Sequence, residues 1–82
     1  MSHPELTEEK NVVSFLEKSV SQVFENLGRK SDLLLWEKHG SVTEKNGRFI
    51  VNLPLSIDLS PSTILGHLRY IKGINIDCVE VR

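Results

Sequence analysis

Residues 44–61 read EKNGRFIVNLPLSIDLSP, and the interpretation of this stretch decides the fold. Asn46-Gly47 sits between two extended segments. Both residues accept positive φ, so the pair predicts a two-residue type I′ hairpin turn. Counting outward from the turn sets Glu44 against Phe49, Val42 against Val51 and Gly40 against Leu53. Val42, Phe49, Val51 and Leu53 then share the core face, while Thr43 and Ile50 share the other. After the turn, Phe49, Val51, Leu53, Leu55, Ile57 and Leu59 occupy every second position, which predicts one long strand with a continuous buried side. Pro54 has no N–H to give a ladder, so it must lie at an edge or at a break in pairing.

On the C-terminal side, SPSTILGHLRYIKG (60–73) predicts a helix. Ser60 caps it, Pro61 takes the first helical position, and Gly73 ends it. Ile64, Leu65, Leu68 and Ile71 form its apolar stripe. Gly66 in its interior costs about 1 kcal/mol against alanine unless something packs closely there. The closing INIDCVEVR (74–82) predicts a strand. Its apolar positions change parity between Cys78 and Val79, the mark of a bulge or of a strand covered on both faces.

On the N-terminal side, SDLLLWEKHG (31–40) is read as a strand with Leu33 and Leu35 inward, running through Gly40 into the hairpin. The alternative is a short helix capped by Ser31 and ended by Gly40. Before it, SHPELTEEKNVVSFLEKSVSQVFENLGRK (2–30) predicts a long amphipathic helix. Ser2 with Glu5, or Thr7 with Glu8 and Glu9, would cap it. Val12, Leu16, Val20, Val23 and Leu27 recur at helical spacing, widened by Val13 and Phe24. Gly28 supplies the left-handed closing residue, with Arg29 and Lys30 beyond it.

The expected order is therefore α-β-β-α-β. It implies an α+β domain, a two-layer sandwich of two helices on a three-stranded mixed or antiparallel sheet. Strands two and three are either parallel neighbours, joined by a right-handed crossover, or flank the first. A strand this long beside so few partners leaves backbone groups at an edge, and folded proteins seldom leave such an edge bare.

Composition bounds the function. The 82 residues suit a single small domain, and 39% apolar with 26% charged residues is ordinary for a globular chain. The net charge of −1 argues against a broad phosphate-binding footprint. Cys78 is the single cysteine, which excludes an intrachain disulfide. With no 18-residue apolar run and no readable leader, a cytoplasmic setting without membrane contact is the expectation.

No constellation of chemistry-bearing residues stands out. His3, His39 and His67 lack metal-ligand spacing. Cys78 shares parity with Ile74 and Ile76 and reads as a small buried hydrophobe. Asp58, Asp77 and Glu80 show no catalytic partner, and the glycines form no phosphate loop. The amino end of the second predicted helix, SPST, reads as a cap before it reads as an anion site. No cofactor, metal or catalytic residue is assigned. The leading expectation is a non-enzymatic interaction or regulatory module, a homodimer or a partner-docking domain. Trp36, Ile50, Pro54 and Tyr70 are the candidate contact residues; Trp36 and Ile50 either form an exposed patch on the sheet face away from the helices, which is the reading preferred, or pack under the first helix. The alternative is a small nucleic-acid-binding or transcription-regulating domain using Lys45, Arg48, Arg69 and Lys72.

SVTEKNGRFIVNLP (41–54) resembles the swapped-hairpin transcription factors of the AbrB type in its glycine turn, β run and proline. The short basic helix expected after the proline is replaced by LSIDL, and the family is not adopted. The element order looks like a truncated ferredoxin-like or ACT-like arrangement, a likeness that licenses no function.

Overall fold

The computed structural model describes the backbone from residue 8 and side chains from residue 12 onward, so the proposed caps at Ser2, Glu5 and Thr7 lie outside the described residues. Over that range the chain forms three helices and an open, mixed three-stranded sheet, an α+β domain. The elements are α1 (Glu8–Asn26), α2 (Lys30–His39), β1 (Ser41–Lys45), β2 (Arg48–Asn52), α3 (Pro61–Leu68), a single 3-10 turn (Ile76–Cys78) and β3 (Val79–Val81). The expected order thus gains a helix and becomes α-α-β-β-α-β.

Helix α1 buries Leu16, Val20, Val23 and Phe24. The stripe stops there: Leu27 lies just past the helix and is exposed. Gly28, at φ 71°, closes the helix as anticipated. Its N–H donates to the Glu25 carbonyl at 3.0 Å and that of Arg29 to Phe24 at 2.9 Å, the paired bonds of a Schellman ending.

Residues 30–39 form a helix, which corrects the strand expected there. Leu33 and Leu35 suggested a period of two, but the fully buried positions are Asp32 and Trp36, four apart, and Leu34 between the leucines points to water. The helix starts without a hydroxyl cap at Ser31. Arg29 takes that position, and its Nε donates to Asp32 Oδ2 at 2.6 Å, fixing a carboxylate in the first turn.

The hairpin has the predicted register, with Val42 opposite Val51 and Glu44 opposite Phe49. Asn46 and Gly47 both have positive φ, 54° and 79°. The Gly47 N–H donates to Glu44 Oε2 at 2.8 Å, which ties the turn to its own strand.

Strand β2 is much shorter than expected. It ends at Asn52, and its last rung is the Leu53 N–H donating to Arg82 at 2.9 Å. Pro54 then breaks the ladder. Its carbonyl accepts from Ile57 at 3.2 Å, so Leu55 and Ser56 make a turn and Leu55 is fully exposed. Leu53, Ile57 and Leu59 still pack on the core from irregular backbone. Beyond Asn52 the alternation thus marks neither a continuous strand nor an unbroken buried side.

Helix α3 begins as predicted, with Ser60 Oγ accepting from the Thr63 N–H at 3.3 Å and Pro61 in the first turn. It ends at Leu68 and not at Gly73. Tyr70 and Ile71 bond three residues back, to His67 and Leu68, so the coil tightens and stops. The predicted final strand also shortens. Asn75 Oδ1 accepts from the Asp77 N–H at 3.2 Å and starts the 3-10 turn, which accounts for the parity change before Val79.

The strand order is β1-β2-β3, β1 antiparallel and β3 parallel to central β2. The core joins Leu16, Val20, Val23 and Phe24 of α1 to Trp36, Ile64 and Leu68, and to Val42, Val51 and Val79 of the sheet.

Candidate interaction surface

Register and burial divide the sheet into two sides. Val42, Phe49, Val51, Val79 and Val81 belong to the core or pack on it. The opposite side carries Ser41, Thr43 and Lys45 from β1, Arg48, Ile50 and Asn52 from β2, and Glu80 and Arg82 across β3. Asn52 Nδ2 donates to Ser41 Oγ at 3.2 Å and to Thr43 Oγ1 at 3.0 Å. Arg82 Nε donates to Glu80 Oε2 at 2.8 Å. That hydrogen bond and the charge of Arg82 hold the Glu80 carboxyl below the usual glutamate range, with Arg48 adding to the effect. This side is a polar layer around half-buried Ile50, hydrogen-bonded within itself at Asn52, Ser41 and Thr43 and at Glu80 and Arg82.

The expected patch of Trp36 beside Ile50 does not form. Trp36 is 3% exposed and lies between α1 and α2, where its Nε1–H donates to the Glu17 carbonyl at 3.2 Å. A Cβ on Gly40 would overlap the indole ring, so glycine there is what lets α2 turn into β1 with Trp36 tucked beneath. The strand reading had placed Trp36 on the wrong element. Pro54 is half-buried beyond β2, and Tyr70 is exposed on the turn after α3.

Lys45 and Arg48 are cross-strand partners at the hairpin tip. Arg69 and Lys72 are exposed on the return from α3. Because β3 runs parallel to β2 and starts opposite Phe49, that return reaches the hairpin end of the sheet. Topology therefore gathers the four cations at one end, with Lys45 and Arg48 on the strands and Arg69 and Lys72 on the helix side.

His39 and His67 are exposed, the latter with Nδ1 2.9 Å from the Thr63 carbonyl. Among the described residues no group of three or more histidine, cysteine or acidic side chains is placed to hold a metal ion. Asp58 and Asp77 are exposed. Cys78 is half-buried, its Sγ accepting from Asn75 Nδ2 at 3.4 Å.

Among the described residues, β1 is an edge strand with no backbone partner on its outer side. In a two-residue hairpin the residues flanking the turn exchange hydrogen bonds, and the pattern then alternates. Lys45–Arg48, Thr43–Ile50 and Ser41–Asn52 are the bonded pairs. Val42 and Glu44 direct N–H and C=O away from β2, and no backbone group of another described element bonds to them. The outer edge of β3 is only three residues long, and its Val79 N–H donates to the Ile76 carbonyl.

Among the described residues no helix is long and apolar enough to cross a membrane. Comparisons with protein-family models, with curated proteins and with solved structures find no match to this chain.

Proposed function

We propose that the chain is a non-enzymatic interaction module, a two-layer sandwich with α1 and α3 backing the sheet, that self-associates by pairing β1 with β1 of a second copy. The observation that carries this reading is the outward row of N–H and C=O groups on Val42 and Glu44. Antiparallel pairing about a two-fold axis at Thr43 sets Val42 of one copy against Glu44 of the other and forms four main-chain hydrogen bonds. Ser41 then faces Lys45 of the second copy, so no like charges meet. The polar far side of the sheet favours the edge over the face as the contact. The pairing area is small, so the dimer is weak and concentration-dependent.

Sedimentation of Thr43 charge variants tests this. Thr43→Lys and Thr43→Asp each place like charges face to face at the axis, on an exposed position outside the core. Each variant alone dimerises at least about fivefold more weakly than wild type, near 1 kcal/mol. Their mixture recovers a heterodimer. A wild-type chain that stays monomeric into the millimolar range overturns the proposal.

The second reading is a nucleic-acid module, favoured by the gathering of Lys45, Arg48, Arg69 and Lys72 at one end of the domain. It expects binding that weakens steeply with salt, and a shallower salt slope for Arg48→Gln or Lys72→Gln.

A further inference from the structure

At the hairpin end, an apolar cleft of about 220 Å³ opens between α1 and the segment leading into β3. Helix α1 supplies Val12, Phe15 and Leu16, β2 supplies Phe49, and the return segment supplies Ile74 and Cys78. Gly73, at φ 95°, turns the chain so closely past Phe15 that a Cβ there would stand 3.4 Å from the ring. Phe15 remains 40% exposed, and Phe49, Ile74 and Cys78 are half-buried. These side chains line the cleft without closing it.

We infer that this cleft is a binding site for a small, uncharged, predominantly apolar molecule. Three observations set that class. Among the described residues no ionisable side chain other than the Cys78 thiol lines the cleft, so none of them offsets a ligand charge. The one amide side chain in its lining is partly engaged within its own segment, with Asn75 Nδ2 donating to Cys78 Sγ and Asn75 Oδ1 accepting from the Asp77 N–H, so apolar contact dominates the walls. The volume sets the size. A dry apolar cavity of about 150 Å³ takes benzene, and scaling to this cleft gives about nine heavy atoms, a fused bicyclic ring. The site lies away from the β1 edge and does not rest on self-association.

Indole is the matching probe. Amide chemical shifts followed during indole titration are expected to saturate at residues 12–16, 49 and 73–79, with Kd about 1 mM or tighter. Indole-3-acetate, the same ring with a carboxylate, binds at least tenfold more weakly. Saturating indole slows N-ethylmaleimide labelling of Cys78, the single thiol, at least threefold. Cys78→Phe fills the cleft and weakens indole binding at least tenfold. The labelling experiment on wild-type protein stands even if that variant does not fold. Unsaturable or scattered shifts, an unchanged labelling rate, or equal affinity for the carboxylate would overturn the assignment. So would cleft shifts that follow protein concentration and resist indole, because the occupant is then a second copy.

Discussion

Replacing Gly40 with alanine inserts one methyl group where the Trp36 indole already lies. Gly40 has ordinary extended dihedrals, φ −79° and ψ 161°, so alanine carries no backbone penalty, and the whole effect comes from the collision. A tryptophan buries about 150–250 Å², so complete ejection of the ring costs at most about 4–6 kcal/mol at 25 cal/mol/Å². The ring slides before it leaves, and over-packing of this kind costs about 1–3 kcal/mol. Alanine also restricts the unfolded chain, which returns about 0.4–1 kcal/mol. The expected net loss is about 1.3 kcal/mol, a fall in Tm of roughly 5–10 °C for a domain this small. Trp36 is the single tryptophan, so its fluorescence during urea unfolding reports both stability and the ring's surroundings. A double-mutant cycle isolates the cause: in a Trp36→Leu background the cost of Gly40→Ala drops below about 0.5 kcal/mol. A full cost in that background, or no cost in wild type, would refute the packing of Trp36 over Gly40 and the helical assignment of α2 with it.

Two further outcomes follow from local geometry. Nothing stands within 4 Å of a Cβ built on Gly66, so Gly66→Ala gains helix propensity without a clash and stabilises by about 0.5–1 kcal/mol in urea unfolding. The Glu80 carboxyl is lowered in the folded state by Arg82 and, less strongly, by Arg48. Its contribution to stability is therefore complete above the unfolded-state pKa and is lost as pH falls through the lower folded value. A carboxyl-detected NMR titration should show Glu80 titrating below the usual glutamate range, and Arg82→Gln should return it towards that range.

What the sequence made legible was what depends on neighbours in the chain. The Asn46-Gly47 turn sets the register of β1 and β2 through local φ preferences, and Gly28, Ser60 and Pro61 set helix ends by capping. Where long-range packing decides, the pattern misled. Residues 31–40 carry three consecutive leucines, compatible with strand or helix, and the deciding contact is Trp36 with a carbonyl on α1, nineteen residues away. Of the alternating residues in 53–59, Leu53, Ile57 and Leu59 do pack on the core, but one proline turned the backbone away from the sheet and left Leu55 exposed. For the site, Lys45 and Arg48 were legible as hairpin neighbours. The outward groups of Val42 and Glu44 were not, because an edge exists only once strand order is known. The cleft left a fainter trace: Phe15 is a large apolar residue off the main stripe of α1, and Gly73 breaks the chain opposite it.

Amide hydrogen exchange at Val42 and Glu44, followed against protein concentration, tests the central claim most directly. An isolated copy leaves both N–H groups facing water beside protected Thr43, so at low concentration both exchange quickly. Edge pairing predicts that both become protected together as concentration rises, while Thr43 changes little. Fast exchange at Val42 and Glu44 that is unaffected by concentration would contradict it.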